Sequence, residues 1–259
     1  MLINNKPKPL CIDSLFITGA GVSIQSGIPS FRGEEGYWTI GSANYTPQEM
    51  ATRQMYLNKP DEFLVWYFKR FAKYRHIKPN SVHYWLSDKA LITQNIDGLD
   101  GKAGNKTVIP IHGSLNKVTV LHDQSIIPEL QEAPWDYVQK EWNNAHDERR
   151  LKKILLDAFK ISNTKLVPEL NVSLKPFVLL FDEFYTNLYR ISEATTKFAI
   201  ANKFIFIGTS FSVNITNMAL RTALDRGCSI TIVDPNPVDL NIPGIEYLAI
   251  TAEEYIAKF

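Results

Sequence analysis

Short apolar runs that end in glycine or polar turns give this chain the pattern of buried β-strands. Leu15-Phe16-Ile17 leads directly into Gly19-Ala20-Gly21, and Lys203–Ile207 leads into Gly208-Thr209-Ser210. A short apolar run of this kind is typical of a parallel strand that is buried on both faces. The same pattern predicts further strands at Ala90–Thr93, Thr107–Ile111 and Ser229–Val233.

Two other stretches have the 3.6-residue period of amphipathic helices. Apolar residues recur at this spacing at Ile215, Met218, Ala219 and Ala223, and again at Leu151, Ile154, Leu155, Ala158 and Phe159. Pro60 opens an additional helical stretch, because proline is favoured in the first turn of a helix. The strand–helix–strand unit over residues 203–233 has the length expected in a doubly wound fold.

These elements predict an α/β fold, a doubly wound (Rossmann-like) parallel sheet with a smaller helical domain inserted between its strands. The whole chain, residues 1–259, is then a single domain, a size that allows a large buried core. The Rossmann-like core would comprise about residues 8–33, 80–115 and 172–259, and the small helical domain about residues 34–79 and 116–171.

Composition narrows the choice of partners and compartment. The 28 basic and 27 acidic residues leave a net charge of +1, so charge favours neither nucleic acid nor a membrane as partner. The N-terminal residues lack the apolar core of a signal peptide, and no apolar run approaches the ~20 residues that span a bilayer. Cys11 and Cys228 are too few for a disulfide framework. We therefore expect a cytoplasmic protein.

The turn at Gly19-Ala20-Gly21 is the first candidate for a ligand site. Its glycines leave no side chain in the way of a ligand, and Ser23 can begin a short helix that Gly27-Ile28-Pro29 must end. Backbone N–H groups at a helix start favour an anion such as phosphate. For a lone Gly-x-Gly, a turn that binds no ligand would be the simpler interpretation.

The continuation of this turn changes that interpretation. Ser26-Gly27-Ile28-Pro29-Ser30-Phe31-Arg32 resembles the signature of the sirtuin family of NAD-dependent protein deacylases. Three further stretches match in the family's order: Thr93–Leu99, His112-Gly113 and Gly208-Thr209-Ser210. The resemblance implies that NAD is a consumed co-substrate, that nicotinamide is released, and that the acyl group of an acyl-lysine protein or peptide moves onto the ribose.

The resemblance also assigns NAD-binding roles to residues of this chain. The turn Gly19, Ala20, Gly21, followed by Ser23, would hold the pyrophosphate, and Phe31 and Arg32 would close over the reacting centre. Gln94 and Asn95 would contact the ribose, Asn95 also holding an attacking water, while Ile96 and Asp97 would recognise the nicotinamide amide. Gly208, Thr209 and Ser210 would form a second NAD contact. Asp234 follows the next strand, where it can bind ribose hydroxyls or simply form an Asp-Pro turn.

His112 is the predicted general base, with Asn95 as the second catalytic residue. An imidazole with an ordinary pKa near 6.5 can take a proton from a ribose hydroxyl at neutral pH. His112 also follows a predicted strand, at the edge where α/β sheets bind ligands. The remaining histidines are interpreted as structural, with His83 packing a helix; the others are His76, His122 and His146.

The middle of the chain departs from the family. Most sirtuins hold a structural zinc with two Cys-x-x-Cys pairs after the His-Gly motif, and this chain has no cysteine there. His122, Asp123, His146 and Asp147 are possible ligands, but structural zinc sites draw mainly on thiolates, so we expect no metal. Asp182 replaces a family glycine after Val178, in the strand and loop that bind the acyl-lysine peptide, which puts peptide binding in doubt.

Substrate and reaction leave alternatives open at this stage. Tyr67 and Arg70 match a Tyr-x-x-Arg pair with which some sirtuins bind succinyl or malonyl groups, although a core tyrosine beside a solvated arginine explains them as well. A deacylase is the first hypothesis for the reaction. An NAD glycohydrolase or ADP-ribosyltransferase is the second, and a non-catalytic nucleotide-sensing module is the third. The sequence leaves the oligomeric state open.

Overall fold

The computed structural model describes residues 11–29, 45–143 and 147–258. Within these residues the strands are β1 (Ile12–Thr18), β2 (Ala90–Thr93), β3 (Ile109–Pro110), β4 (Gly113–Val120), β5 (Gln131–Glu132), β6 (Leu174–Val178), β7 (Ala201–Ile207), β8 (Ser229–Val233) and β9 (Ile245–Leu248). The α-helices are α1 (Pro47–Met50), α2 (Arg53–Asn58), α3 (Pro60–Phe71), α4 (Ser81–Trp85), α5 (Leu99–Lys102), α6 (Trp135–Glu141), α7 (Glu148–Ala158), α8 (Ile191–Ile200), α9 (Asn214–Asp225) and α10 (Ala252–Ile256). Short 3₁₀ segments lie at Ala20–Ser26, Ala72–Tyr74, Leu86–Asp88 and Asn187–Tyr189.

The larger sheet has six parallel strands in the order β3-β2-β1-β7-β8-β9. Phe16 of β1 pairs with Leu91 of β2 on one side and with Ile205 of β7 on the other. The strand order reverses between β1 and β7, because the chain adds its earlier strands on one side of β1 and its later strands on the other. Parallel sheets bind ligands outside the carboxyl ends of the strands at such a reversal. The predicted doubly wound α/β fold is confirmed.

Helices cover both faces of this sheet, which explains why its central strands contain runs of consecutive buried apolar residues. On one face, α8 and α9 contribute Phe198 and Ala219 to a core with the strands. On the other face, α4 and α10 contribute Val82 and Tyr255. No helix in the described part of the chain is long and apolar enough to cross a membrane.

The insertions form a second unit that contains a sheet as well as helices. Its three antiparallel strands have the order β5-β4-β6, and helices α2, α3, α6 and α7 add a largely aromatic core. The largest side chains buried there are Tyr56, Phe63, Tyr67, Trp135 and Phe159. The predicted helices at Pro60 and at 151–159 are confirmed by α3 and α7.

The sequence analysis predicted a smaller helical domain, and the structure adds to its helices a small sheet that the pattern did not predict. β6 lies within the predicted Rossmann-like segment 172–259 but pairs with β4, outside the large sheet. The pattern concealed β4 because its pairing shifts register between Gly113 and Val118, and Asn116-Lys117 interrupts the apolar alternation. A strand without regular alternation gives no clear signal of two-residue periodicity.

The turn after β1 forms a 3₁₀ helix over Ala20–Ser26 that ends at Gly27, where φ is 84°. The predicted stop at Gly27 is therefore confirmed, because this left-handed backbone favours glycine. The predicted start at Ser23 is wrong. Ser23 lies in the middle of the segment, and its hydroxyl donates to Asp97 instead of capping a helix.

The turns after β1 and β7 touch backbone to backbone. A Cβ atom on Gly21 would lie 2.5 Å from the Cα of Gly208, and a Cβ on Gly208 would lie 2.6 Å from the Cα of Gly21. The N–H groups of Gly19 and Gly21 donate to the carbonyls of Ile207 and Gly208, at 3.0 and 3.1 Å. These two N–H groups therefore bond within the protein, in contrast to the predicted role as pyrophosphate donors. The glycines are needed for close approach.

A buried ion network joins β6 to the loop that follows it. The side chains of Lys175 and Glu183 are 2% and 3% exposed, with Nζ and Oε2 2.9 Å apart. The other oxygen of Glu183 accepts a hydrogen bond of 2.9 Å from Arg53 of α2, and Arg53 also donates to the carbonyl of His122. Desolvation lowers the pKa of Lys175 although Glu183 opposes this effect. The network thus fixes α2, β6 and the end of β4 relative to one another.

Candidate active site

A cavity of about 1250 Å³ opens at the carboxyl ends of β1, β2, β7 and β8. It exceeds the roughly 300–1,000 Å³ that is usual for small-molecule sites. The predicted site residues that line it are Gly19, Ala20, Gly21, Ser23, Tyr67, Gln94, Asn95, Ile96, Asp97, His112, Val178, Gly208, Thr209, Ser210 and Asp234. Of the predicted NAD-binding residues, Phe31 and Arg32 lie outside the described part of the chain.

Gln94 follows β2 and links three neighbouring strand ends. Its side-chain amide donates to the carbonyl of Thr18 at 3.1 Å and to the hydroxyl of Thr209 at 3.0 Å. The backbone carbonyl of Gln94 accepts a hydrogen bond of 3.0 Å from Nδ1 of His112. These contacts join the ends of β1, β2 and β7. They therefore hold the polar groups at the floor of the cavity in fixed positions relative to one another.

Asn95, Asp97 and Ser23 form a buried polar cluster beside that floor. The hydroxyl of Ser23 donates to Oδ2 of Asp97 at 2.7 Å. The amide nitrogen of Asn95 donates to the carbonyl of Gly19 at 3.0 Å and to the Ser23 hydroxyl at 3.2 Å. Oδ1 of Asp97 accepts from the backbone N–H of Leu99 at 2.9 Å. The side chains of Asn95 and Asp97 are therefore oriented by the protein before any ligand binds.

His112 lies in the turn between β3 and β4, with one ring nitrogen bonded to the backbone of Gln94 and the other to Tyr185 in the cavity wall. A carbonyl can only accept, so Nδ1 carries the proton that is donated to Gln94. Nε2 lies 2.8 Å from the hydroxyl of Tyr185. Desolvation lowers the pKa of His112 to about 4, although its bond to the Gln94 carbonyl opposes this shift. The imidazole is thus neutral at neutral pH, as a base must be.

The glycine after His112 is required by the small sheet. Gly113 has a φ of +94°, and a Cβ atom there would lie 2.1 Å from the carbonyl oxygen of Phe177 in β6. Any side chain at this position would push β4 away from β6. The His-Gly pair therefore places the histidine at the point where the two sheets meet.

At the far end of the cavity, Asp234 follows β8 and forms the Asp-Pro turn that was one of the two predictions for it. It lines the cavity, and its Oδ1 also accepts from the backbone N–H of Asn236 at 2.9 Å, which closes the Asp-Pro turn. Desolvation raises the pKa of its carboxyl group. Ser210 and Ser212 lie nearby with their hydroxyls hydrogen-bonded to each other.

The predicted substrate residues divide between the cavity and its surroundings. Tyr67 is fully buried in the cavity wall, and its hydroxyl has no hydrogen-bond partner among the described residues. The guanidinium of Arg70 lies 5.9 Å from the ring centre of Trp66. Val178 lines the cavity at the end of β6.

Asp182 has a structural explanation. Its two carboxylate oxygens accept from the backbone N–H groups of Arg53 and Gln54 at 2.6 and 3.0 Å. A carboxylate there satisfies the first N–H groups of α2 and is stabilised by the helix dipole. The side chain is thus directed at a helix end.

Three of the four candidate metal ligands form hydrogen bonds within the protein, and the fourth, His146, lies outside the described residues. Asp123 accepts from Ser125, Asp147 accepts from the N–H of Arg150 at the start of α7, and Nδ1 of His122 accepts from Gln124. Residues 11–29, 45–143 and 147–258 hold no group of three or more His, Cys, Asp or Glu side chains that could bind a metal ion.

Two residues near the site were assigned no role, or only a packing role, by the sequence analysis. Tyr185, which contacts His112, stands 73 residues away along the chain, and its sequence surroundings give no signal for such a contact. His83 was expected only to pack a helix. Its Nδ1 accepts from the backbone of Asn80 at the start of α4, and its Nε2 lies 3.4 Å from the Ser23 hydroxyl, so it supports the polar cluster from behind.

Comparison with known proteins gives a consistent result. A family model described as the Sir2 family matches residues 19–215. NAD-dependent protein deacylase 1 of Archaeoglobus fulgidus is 41% identical over 109 residues, which cover 39% of this chain and 43% of that protein. NAD-dependent protein deacylase 1 of Caldanaerobacter subterraneus subsp. tengcongensis is 29% identical over 253 residues, which cover 95% and 92%. The chain thus matches less than half the length of the first relative and most of the second.

Solved structures agree over almost the whole chain. A Sir2 homologue in complex with ADP-ribose superposes with a TM-score of 0.70 at 26% identity, covering 95% of this chain and 89% of that one. A Sir2 homologue in complex with 2′-O-acetyl ADP-ribose superposes with a TM-score of 0.68 at 28% identity, with coverage of 95% and 89%.

Proposed function

Because this chain belongs to the Sir2 family, we propose that it is an NAD-dependent protein-lysine deacylase. It transfers the acyl group of an acyl-lysine to ADP-ribose and releases nicotinamide. The observation that carries the proposal is the convergence of Asn95, Asp97 and His112 on one cavity at the reversal point of the sheet. Relatives that bear the name deacylase support the same reaction.

The dinucleotide is proposed to lie across the carboxyl edge of the large sheet. The contact between Gly21 and Gly208 leaves a surface without side chains against which a diphosphate can rest. Hydroxyls of Thr209 and Ser210 supply donors beside it, and Asp234 supplies an acceptor for ribose hydroxyls at the end of β8. When bound, NAD supplies the labile nicotinamide–ribose bond and the ribose that accepts the acyl group.

The nicotinamide ribose of NAD is proposed to lie over the polar cluster formed by Ser23, Asn95 and Asp97. Both donor hydrogens of the Asn95 amide are used by Gly19 and Ser23, so its carbonyl oxygen is the group that can hold a ribose hydroxyl or a water. Asp97, oriented by Ser23, recognises the nicotinamide amide together with Ile96. His112 takes a proton from a ribose hydroxyl on Nε2, because Nδ1 is held by Gln94.

The acyl-lysine is proposed to enter beside Val178. In the described part of the chain β6 pairs only with β4, so its other edge can receive an extended peptide. Asp182 is directed at α2 and so does not itself oppose peptide binding. The hydroxyl of Tyr67 is a polar group in the cavity wall without a partner among the described residues, which supports a carboxylated acyl chain as the alternative to an acetyl group.

The small unit is proposed to need no zinc. Its interval lacks cysteine, and the candidate ligands within the described residues, His122, Asp123 and Asp147, are engaged in turns and a helix start. Metal analysis of the purified protein should therefore find no stoichiometric zinc.

Cys11 and Cys228 are free thiols, which supports a reducing compartment, and we propose the cytoplasm.

A second candidate function is an NAD glycohydrolase or ADP-ribosyltransferase, which the missing thiolate ligands favour. Product analysis separates the candidates. The protein is incubated with NAD, with and without acetyl- and succinyl-lysine peptides. We expect acyl-ADP-ribose and nicotinamide only when peptide is present. ADP-ribose formed without peptide would favour the second candidate, and unchanged NAD would favour a non-catalytic nucleotide sensor.

The low pKa of His112 predicts an unusual pH dependence. The base is active when neutral, and burial lowers its pKa from about 6.5 to about 4. The plot of kcat/KM against pH, which reports the free enzyme, should therefore stay level as pH falls from 7 to about 5 and decline only near 4. A half-maximal rate near pH 6.5 would contradict the assignment.

The same pKa shift predicts a pH-dependent stability. Unfolded His112 binds a proton between about pH 6.5 and 4 and the folded residue does not, so the free energy of unfolding should fall as pH is lowered through this range.

A further inference from the structure

The contact between His112 and Tyr185 has no counterpart in the roles proposed above. The Tyr185 hydroxyl lies 2.8 Å from Nε2 of His112, the same nitrogen that the proposed reaction needs as a base. The two rings are 5.8 Å apart between centroids and inclined by 32°. Both side chains line the cavity. The contact therefore belongs to the reacting end of the site.

The direction of this hydrogen bond follows from the partners on either side. Nδ1 of His112 must donate to the carbonyl of Gln94, so a neutral ring carries no proton on Nε2. Burial raises the pKa of Tyr185 to about 12, so its hydroxyl keeps its proton at neutral pH. Tyr185 is therefore the donor, and Nε2 of His112 is the acceptor.

A neutral imidazole nitrogen has a single in-plane lone pair, so it accepts one strong hydrogen bond at a time. At 2.8 Å the Tyr185 hydroxyl already occupies that lone pair. A ribose hydroxyl that is to give its proton to His112 must take the same place. Tyr185 and the ribose thus compete for one atom.

The surroundings of Tyr185 suit a side chain that can be displaced. Its loop is fixed on one side by Asp182 and Glu183 and on the other by the 3₁₀ turn at Asn187–Tyr189. Between these anchors, Phe184 is 74% exposed, and the half-buried Tyr185 lines the cavity and packs against the core of the large sheet. A rotation of the Tyr185 side chain would free Nε2 without moving either anchor.

We propose that Tyr185 is a positioning residue that caps the base nitrogen of His112 until the ribose of NAD replaces it. The proposal rests on the proposed function, since it assigns His112 the same ribose. In the free protein the hydroxyl holds the imidazole in its productive orientation and keeps water from Nε2. Binding of the ribose exchanges one hydrogen bond for another, so part of the binding energy is spent on displacing the cap.

The test is the Tyr185→Phe variant, which keeps the ring and removes only the competing hydroxyl. A hydrogen bond with a net value of about 0.5–1.5 kcal/mol lowers the apparent affinity of its competitor by about 2- to 13-fold. We therefore expect Tyr185→Phe to bind ADP-ribose about 2- to 13-fold more tightly in calorimetry. ADP, which has phosphates but no second ribose, should bind both proteins equally. Tyr84→Phe, at an exposed tyrosine of α4, serves as the matched control and should change neither affinity.

Steady-state kinetics provide the second measurement. The cap predicts a lower KM for NAD in Tyr185→Phe with kcat largely retained. Unchanged affinity for ADP-ribose, or an equal change for ADP, would overturn the proposal. A kcat lowered tenfold or more with unchanged ADP-ribose affinity would also overturn it, because that result describes a proton relay. Failure of the wild-type protein to bind ADP-ribose and NAD would instead count against the proposed function.

Discussion

His112→Ala is expected to lower deacylation by about 10²–10⁴-fold, the usual cost of losing a positioned general base, while NAD still binds. The side chain has no other described hydrogen-bond partners than Gln94 and Tyr185, so its removal should leave the proposed phosphate and adenosine contacts intact. The proposed contacts lie at the turns of Gly21 and Gly208 and near Ser210, which line the same cavity. The expected pattern is therefore a loss of kcat without a comparable loss of affinity.

The experiment pairs NAD calorimetry with turnover on acetyl- and succinyl-lysine peptides. His76→Ala is the matched control, because His76 is an exposed histidine whose described contact is with Asp136. Asn95→Ala should differ from His112→Ala by also weakening the positioning of the nicotinamide ribose. A His112→Ala protein that turns over at the wild-type rate would end the general-base assignment. Loss of NAD binding would indicate a structural role instead.

Glu183→Gln is expected to destabilise the fold by about 3–5 kcal/mol, because removing one member of a buried pair leaves the other charge uncompensated. Lys175 is 2% exposed, and its other hydrogen bonds are to the carbonyls of Pro176 and Val178, which are neutral. Arg53 also loses its carboxylate partner, but it donates to a carbonyl as well and is less buried. The midpoint of urea unfolding gives the change in the free energy of unfolding.

Two further variants test whether the uncompensated charge of Lys175 causes the loss of stability. Lys175→Met combined with Glu183→Gln removes the uncompensated ammonium and should recover part of the lost stability. Glu62→Gln breaks an exposed pair with Lys59, whose charged atoms are 3.6 Å apart, and should cost less than about 1 kcal/mol. If Glu183→Gln is no more destabilising than Glu62→Gln, the ion network does not hold the small unit together.

The sequence predicted the large sheet well because its signal is local. Residues 15–17, 203–207 and 229–233 are short, mostly apolar runs, which is the pattern typical of a parallel strand covered on both faces. The reversal between β1 and β7 then brings the motifs after these strands to one edge, which explains why most of the predicted site residues line one cavity.

The parts that were not predicted depend on contacts between distant residues. β4 pairs with β6 through a ladder that contains a register shift. The periodicity of neither strand indicates this pairing. The Gly-x-Gly turn was recognised, but the engagement of both its N–H groups with β7 residues follows from a neighbour far away in sequence. Tyr185 reaches His112 through the fixed loop after β6, and a single tyrosine in a loop gives no pattern to detect.

The backbone contact between Gly21 and Gly208 has a consequence for the lifetime of the protein. The surface that is to receive the dinucleotide exists only when the first and the seventh strands lie side by side, so a partly unfolded chain has no site to offer. A ligand that binds only the folded state stabilises it by about 2.7 kcal/mol at a hundred times its Kd. Resistance to proteolysis should accordingly rise with the dinucleotide concentration, and the abundance of the protein would follow the supply of its own co-substrate.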